Sequence, residues 1–199
     1  MIRQLIQAMI KAFTKTPRDQ YYDEPTAEEM YSTEPEPTWR DEYKEWERIQ
    51  VFLDMISYAE GTDRFGNDRG YNVIVGGSLF DDYSDHPRKL VKLPRYNISS
   101  TAAGRYQILS RYWDHYKAQL KLPDFGHESQ DRYAIQQIKE QRALPLILSG
   151  DIHGAIMRCS NIWASFPNAG YGQREVEMND LLEFYAKRYE ALKLYETNT

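Results

Sequence analysis

The sequence predicts an α+β domain, mainly helical with one small β-hairpin, preceded by an amphipathic helix and a tether. Three observations carry this expectation. Apolar residues recur at spacings of three and four in several stretches, whereas a β-branched run bounded by glycines occurs at residues 70–77. Residues 16–38 hold Pro17, Pro25, Pro35 and Pro37 among many acids and few aliphatics. Helices gathered around one β element make an α+β domain rather than an alternating α/β one.

The chain opens with Ile2, Leu5, Ile6, Met9, Ile10 and Phe13, the spacing of one helix face. Through Arg18 the only charges are Arg3, Lys11, Lys15 and Arg18, so residues 1–15 read as a basic amphipathic helix. Such a helix suits an anionic membrane surface or a protein partner, reached here through residues 2–13, or packing on its own domain. Residues 16–38 read as an acidic, proline-containing linker that buries too little apolar surface to offset ordering. The main domain is expected over residues 39–199.

Its first helix is marked by Val51, Phe52, Met55, Ile56 and Ala59, and ends on Glu60-Gly61. Glycine takes a left-handed helix terminus without steric cost. Residues 61–70, rich in Gly, Asp, Asn and Arg, read as a mobile loop, and Tyr71–Val75 with Gly76-Gly77 as a short hairpin through Phe80. Residues 81–100 read as irregular. Further helices are expected over Gly104–Leu120, Ser129–Leu144, Asp151–Cys159 with an Asp N-cap, and Met178–Tyr195, with a loop at residues 166–172.

Composition narrows the function. Of the 199 residues 41% are hydrophobic and 14% aromatic, which supports a sizeable core. The net charge of −5 is concentrated in residues 1–48, leaving the remainder nearly neutral. No nucleic-acid footprint is therefore expected. The single cysteine, Cys159, lies in an apolar run and reads as a buried small hydrophobe. His86, before Pro87, reads as a hydrogen-bonded loop anchor, and His115, His127 and His153 show no ligand spacing, so no metal or other cofactor is expected. No run approaches the roughly 20 apolar residues of a membrane span, and no cleavable signal is apparent.

Glu60 is a candidate for chemistry, although a Glu in the last turn of a helix equally suits an ordinary surface position. A carboxylate at the rim of an apolar helix face is disfavoured in its charged form, which raises its pKa toward the range a general acid needs.

Four segments then stand together in order: 53–63, 70–77, 82–107 and 159–173. They include Ala59-Glu60-Gly61-Thr62-Asp63, Gly70-Tyr71-Asn72-Val73-Ile74, Asp85-His86-Pro87-Arg88, Ser100-Thr101-Ala102-Ala103-Gly104-Arg105-Tyr106-Gln107 and Gly170-Tyr171-Gly172-Gln173. This set closely resembles the lambda-type phage endolysins, lytic transglycosylases of lysozyme-like fold. The resemblance runs from about Val51 to Lys187. It implies cleavage of the β-1,4 bond between N-acetylmuramic acid and N-acetylglucosamine in peptidoglycan, with a single catalytic glutamate at Glu60 and a 1,6-anhydro product. Gly104-Arg105-Tyr106-Gln107 is similar to the Gly-x-x-Gln element that lines the family's cleft. Through the resemblance Tyr71, Asn72, Ile74, Ser100, Thr101, Gly104, Arg105, Tyr106, Gln107, Tyr171 and Gln173 become candidates for substrate contact. Tyr106 also suits the core, and Gly104 a helix start. Asn72 stands where the lambda enzyme has Asp, which removes one second carboxylate; Asp63, Asp68, Asp81, Asp82 and Asp85 remain. The alternatives are a hydrolytic muramidase using one of these acids and a wall-binding module without turnover. The resemblance further implies a monomer held in the host cytoplasm until a holin releases it to the wall, where it leads to host cell lysis.

Overall fold

The computed structural model describes residues 39–65 and 68–197. The expected helix at 1–15 and linker at 16–38 lie outside the described residues. Helix α1 (Trp39–Glu60) is followed by a 3-10 turn at Thr62–Arg64, strands β1 (Val91–Leu93) and β2 (Ile98–Ser100), then α2 (Ser110–Leu120), α3 (His127–Glu140), α4 (Leu144–Ser149), α5 (Ile152–Cys159) and α6 (Met178–Thr197). Helices built round a small sheet make the body α+β, as expected.

The core forms around α1. Val51, Phe52, Leu53, Met55, Ile56 and Ala59 are buried, as their spacing predicts for one helix face. That face packs mainly on α6 and α4. Phe52 meets the edge of Phe166 with centroids 6.3 Å apart, and Tyr58 stacks on Phe184 at 4.4 Å. A second aromatic cluster joins α2 to α3, with Trp113 edge-on to Phe125 at 4.8 Å. Gly61 ends α1 in the left-handed conformation, φ 71°, as placed from sequence. The Asp151 carboxylate accepts from the Gly154 N–H at 2.9 Å, the expected N-cap of α5.

Five expectations are corrected. The two-stranded antiparallel sheet lies at residues 91–100, paired Val91↔Ser100 to Leu93↔Ile98, inside the stretch expected to be irregular. Its strands are only three residues long and bury no residue, too short to register a period-two signal. The hairpin expected at 71–80 is reduced to isolated bridges, Val73↔Leu79 and Ile74↔Ala103.

The helix expected over Gly104–Leu120 begins only at Ser110. Residues 103–108 close a tight turn, with Ala103 and Ile108 exchanging both main-chain hydrogen bonds and both Gly104 and Gln107 at positive φ. Ser129–Leu144 is two helices: α3 stops at Glu140, Arg142 takes φ 56°, and Pro145 opens α4. Proline is accommodated in a first helical turn, where its missing N–H has no partner to lose.

The loop after Gly61 is anchored at its start, not loose. Thr62 is buried, its hydroxyl donating to the Arg105 carbonyl at 2.7 Å and sharing a hydrogen bond with Ser57. His86 is buried as a loop anchor: Nε2 donates to the Ile108 carbonyl at 2.8 Å and Nδ1 accepts from the Arg88 N–H.

Candidate active site

Glu60 sits on the last turn of α1, where the apolar face meets the surface. The Ser165 hydroxyl donates to its Oε1 at 2.7 Å across 105 residues of sequence. Burial pushes the Glu60 carboxyl up from 4.5 to about 7, and the Ser165 hydroxyl and main-chain N–H oppose the rise without cancelling it. Half the molecules then carry the proton near neutral pH, the condition for a group that must both give and take one.

The Gly104–Gln107 turn is fixed beside this helix end. The hydroxyl of Thr62, two residues beyond Glu60, holds the Arg105 carbonyl, and Gly104 N–H donates to Val73. Gln107 is half-buried, its side-chain amide donating to the Gly104 and Val73 carbonyls at 3.0 and 3.3 Å. Gly104 is required on two counts. Its φ is 78°, and a Cβ there would lie 2.2 Å from the Gln130 Oε1. That same oxygen accepts from the Arg105 N–H.

The remaining sequence-derived candidates divide by exposure. Tyr71, Ile74, Arg105 and Tyr106 are all no more than 4% exposed. The phenols of Tyr71 and Tyr106 both donate to Asp131, and the Arg105 guanidinium lies against both rings and pairs with Asp54. Asp54 also takes Arg188 of α6 at 2.8 Å. These side chains brace the turn from behind. Asn72 is half-buried, and its Oδ1 has no hydrogen-bond partner in the protein. Ser100 accepts from the Ala102 N–H, and Thr101 accepts from the N–H and hydroxyl of Ser110, so both close the corner between β2 and α2. Tyr171 is 56% exposed with its hydroxyl donating to the Asn161 carbonyl, and Gln173 is exposed on the same loop. That loop is cinched by Glu175, which accepts from the N–H groups of Asn168 and Gly170, and by the Val176 N–H donating to the Ser165 carbonyl.

Three of the candidate second acids are engaged elsewhere. Asp68 binds Tyr83 and His127. Asp82 accepts from the Ser84 N–H. Burial raises the Asp85 carboxyl, but the donors Lys117, Trp113 and Arg88 more than offset this and hold it below the usual carboxylate range. Asp81 is exposed. Asp63 is raised, chiefly by burial, with Arg64 and Arg105 opposing. Sequence reasoning assigned no role to Ser165 or Thr62. Both are short hydroxyl residues whose partners come from the tertiary fold, and no local pattern marks them.

Two concavities, of about 310 Å³ between the ends of α3 and α5 and about 410 Å³ between α5 and α6, do not include Glu60. Among the described residues no three His, Cys, Asp or Glu side chains gather to hold a metal, and no helix is long and apolar enough to cross a membrane.

Comparisons with known proteins identify the family. The family model described as Endolysin matches residues 50–191. The endolysin of Escherichia phage lambda is 59% identical over 136 residues, covering 67% of this chain and 85% of its own. The endolysin of Escherichia phage P2 is 50% identical over 147 residues, covering 68% and 89%. Among solved structures, bacteriophage lambda lysozyme complexed with a chitohexasaccharide matches with a TM-score of 0.69 at 55% identity, over 71% of this chain and 94% of that one. A second structure of lysozyme from bacteriophage lambda matches with a TM-score of 0.66 at 54% identity. An acid-bearing α1, the braced turn beside it and a body matched over nearly its whole length place this chain in the endolysin family, with the fold of phage lambda lysozyme.

Proposed function

We propose that this endolysin cleaves the β-1,4 bond between N-acetylmuramic acid and N-acetylglucosamine in peptidoglycan as a lytic transglycosylase, with Glu60 as its single acid and base. The observation that carries the reading is the Glu60 carboxyl, half-buried, hydrogen-bonded to Ser165 and poised near pH 7. Protonated Glu60 donates to the departing glycosidic oxygen, which keeps the electron pair of the broken C1–O bond. The muramoyl C6 hydroxyl oxygen then closes onto C1, and its proton returns to the Glu60 carboxylate. The products are a 1,6-anhydro end and a free 4-hydroxyl, with no water consumed.

Two-carboxylate glycosidases need a second acid about 5–9.5 Å from the first. The engagement of Asp68, Asp82 and Asp85 with other partners favours the one-acid route. Asp63, close in sequence and raised by burial, supports the hydrolytic reading as the second choice.

Gln107 spends its NH2 on two carbonyls, so its Oε1 serves a sugar hydroxyl or N-acetyl N–H. The exposed ring of Tyr171 and the Gln173 amide take the glycan from the opposite loop, and Asn72, Ser100 and Thr101 border it. The chitohexasaccharide carried by lambda lysozyme supports an N-acetylhexosamine ligand. In the cell the protein acts on the wall during host lysis, after holin-mediated release from the cytoplasm. The test is mass spectrometry of fragments released from purified peptidoglycan. Muropeptides lighter by one water support the transglycosylase reading, and reducing muramic ends replace it with hydrolysis.

A further inference from the structure

We propose that Ser165 is a positioning residue that holds Oε1 of Glu60 and thereby assigns the transferable proton to Oε2. The inference rests on the reading of Glu60 as the acid and goes beyond it, by naming which oxygen works.

Ser165 is itself constrained. It is 7% exposed and lies between Trp163, 3% exposed, and Phe166, fully buried. Those two rings are 5.7 Å apart, and Phe166 packs edge-on against Phe52 of α1 at 6.3 Å. The segment bearing the hydroxyl is thus locked to the helix bearing the acid. With the backbone fixed on both sides, the hydroxyl has Oε1 at 2.7 Å. An oxygen already accepting an O–H is the poorer site for a proton, because protonation there forces the serine hydroxyl to turn away. The proton therefore resides on Oε2. In the forward step the Oε2–H bond breaks and the proton passes to the leaving oxygen. In the return step the C6 hydroxyl proton comes back to Oε2, and Ser165 exchanges none.

The arrangement also joins the acid to the opposite wall. The Ser165 carbonyl accepts from the Val176 N–H at 2.8 Å, closing the loop that presents Tyr171 and Gln173. One residue thus fixes the acid through its side chain and the Tyr171 loop through its main chain.

The experiment is a 13C NMR titration of the Glu60 carboxyl, identified by its loss in Glu60→Gln, alongside the pH profile of kcat/KM on solubilised glycan strands. In Ser165→Ala the ionised form loses a donor, so the midpoint is expected to rise by about one pH unit. The alkaline limb of kcat/KM should move up with it, while kcat on the acid plateau falls about tenfold. Ser165→Thr, which keeps the hydroxyl, should restore both. Midpoint and limb coinciding with the parent's in folded Ser165→Ala, with kcat unchanged, overturn the proposal. Should the alanine variant not fold, Ser165→Cys, a weaker donor, is expected to move both readouts the same way, and unmoved readouts in that variant overturn it equally. The titration reads the carboxyl itself. An active Glu60→Gln enzyme would therefore dismiss the reading of Glu60 as the acid, whatever the titration says of Ser165.

Discussion

A carboxyl raised to about 7 has a cost as well as a use. The unfolded chain ionises Glu60 near 4.5, the folded chain only near 7. The folded state thus holds its proton more tightly, and its stability falls as the pH rises between those values, then stays level above about 7. Glu60→Gln removes this titration. The variant is expected to fold, to lose about 10²–10⁴-fold in turnover, and to be more stable than the parent by about 3 kcal/mol at pH 8. At pH 4 that gain should vanish. Denaturant melts at the two pH values check the stability, and residual activity within about tenfold of the parent would reject Glu60 as the acid. At this scale the position of Glu60 at the end of a buried helix face was legible because Gly61 and the apolar period both end there, while its proposed role came from the resemblance of the segments around it. Ser165 was not, since its partner is fixed by the packing of Phe166 on Phe52 rather than by any nearby residue.

Elements with long apolar faces were legible for a simple reason: one buried stripe repeats every three to four residues. Helix α1 buries the residues its period selects, and α5 carries its predicted Asp cap. The turn at 103–108 was misread because its apolar residues are buried without a helix. Ala102, Ala103, Tyr106 and Ile108 are all in the core, and their spacing mimics a helix start. What stabilises the turn instead is Gln130, which accepts from the Arg105 N–H and donates to the carbonyls of Tyr71 and Phe125. Gly104→Ala is therefore expected to strain the backbone at φ 78° and drive a methyl into Gln130. We expect a loss of about 3 kcal/mol, seen as a melting temperature lower by roughly 5–10 °C. Gly61→Ala, which meets no atom within 4 Å, should cost only its left-handed backbone term, about 1 kcal/mol.

For the whole molecule, the family match begins at residue 50 and the described body at residue 39. The Asp54 tie between α1 and α6 lies wholly within the described body. Deleting residues 1–38 is expected to leave turnover on purified sacculi within about twofold of the full chain. Binding to anionic vesicles should fall if residues 2–13 supply it. Turnover lost from a truncated chain that still melts cooperatively would reject the tether reading. The α+β class was legible from the balance of helical periods against one β element. The position of the sheet was not, because two three-residue strands without a buried residue leave too faint a trace.

Cys159 is the only cysteine in the chain, fully buried on α5, and burial pushes its thiol up to about 12. The protein thus carries its own clock for opening. A thiol-reactive dye finds no thiolate while the body is closed, so its rate of attachment reports how often α5 leaves the core. Labelling should be slow in the parent, fast in denaturant, and accelerated in Gly104→Ala by the factor that its stability loss predicts. The same burial leaves every surface position available for a second, introduced cysteine, once the native one is protected by nothing more than the fold.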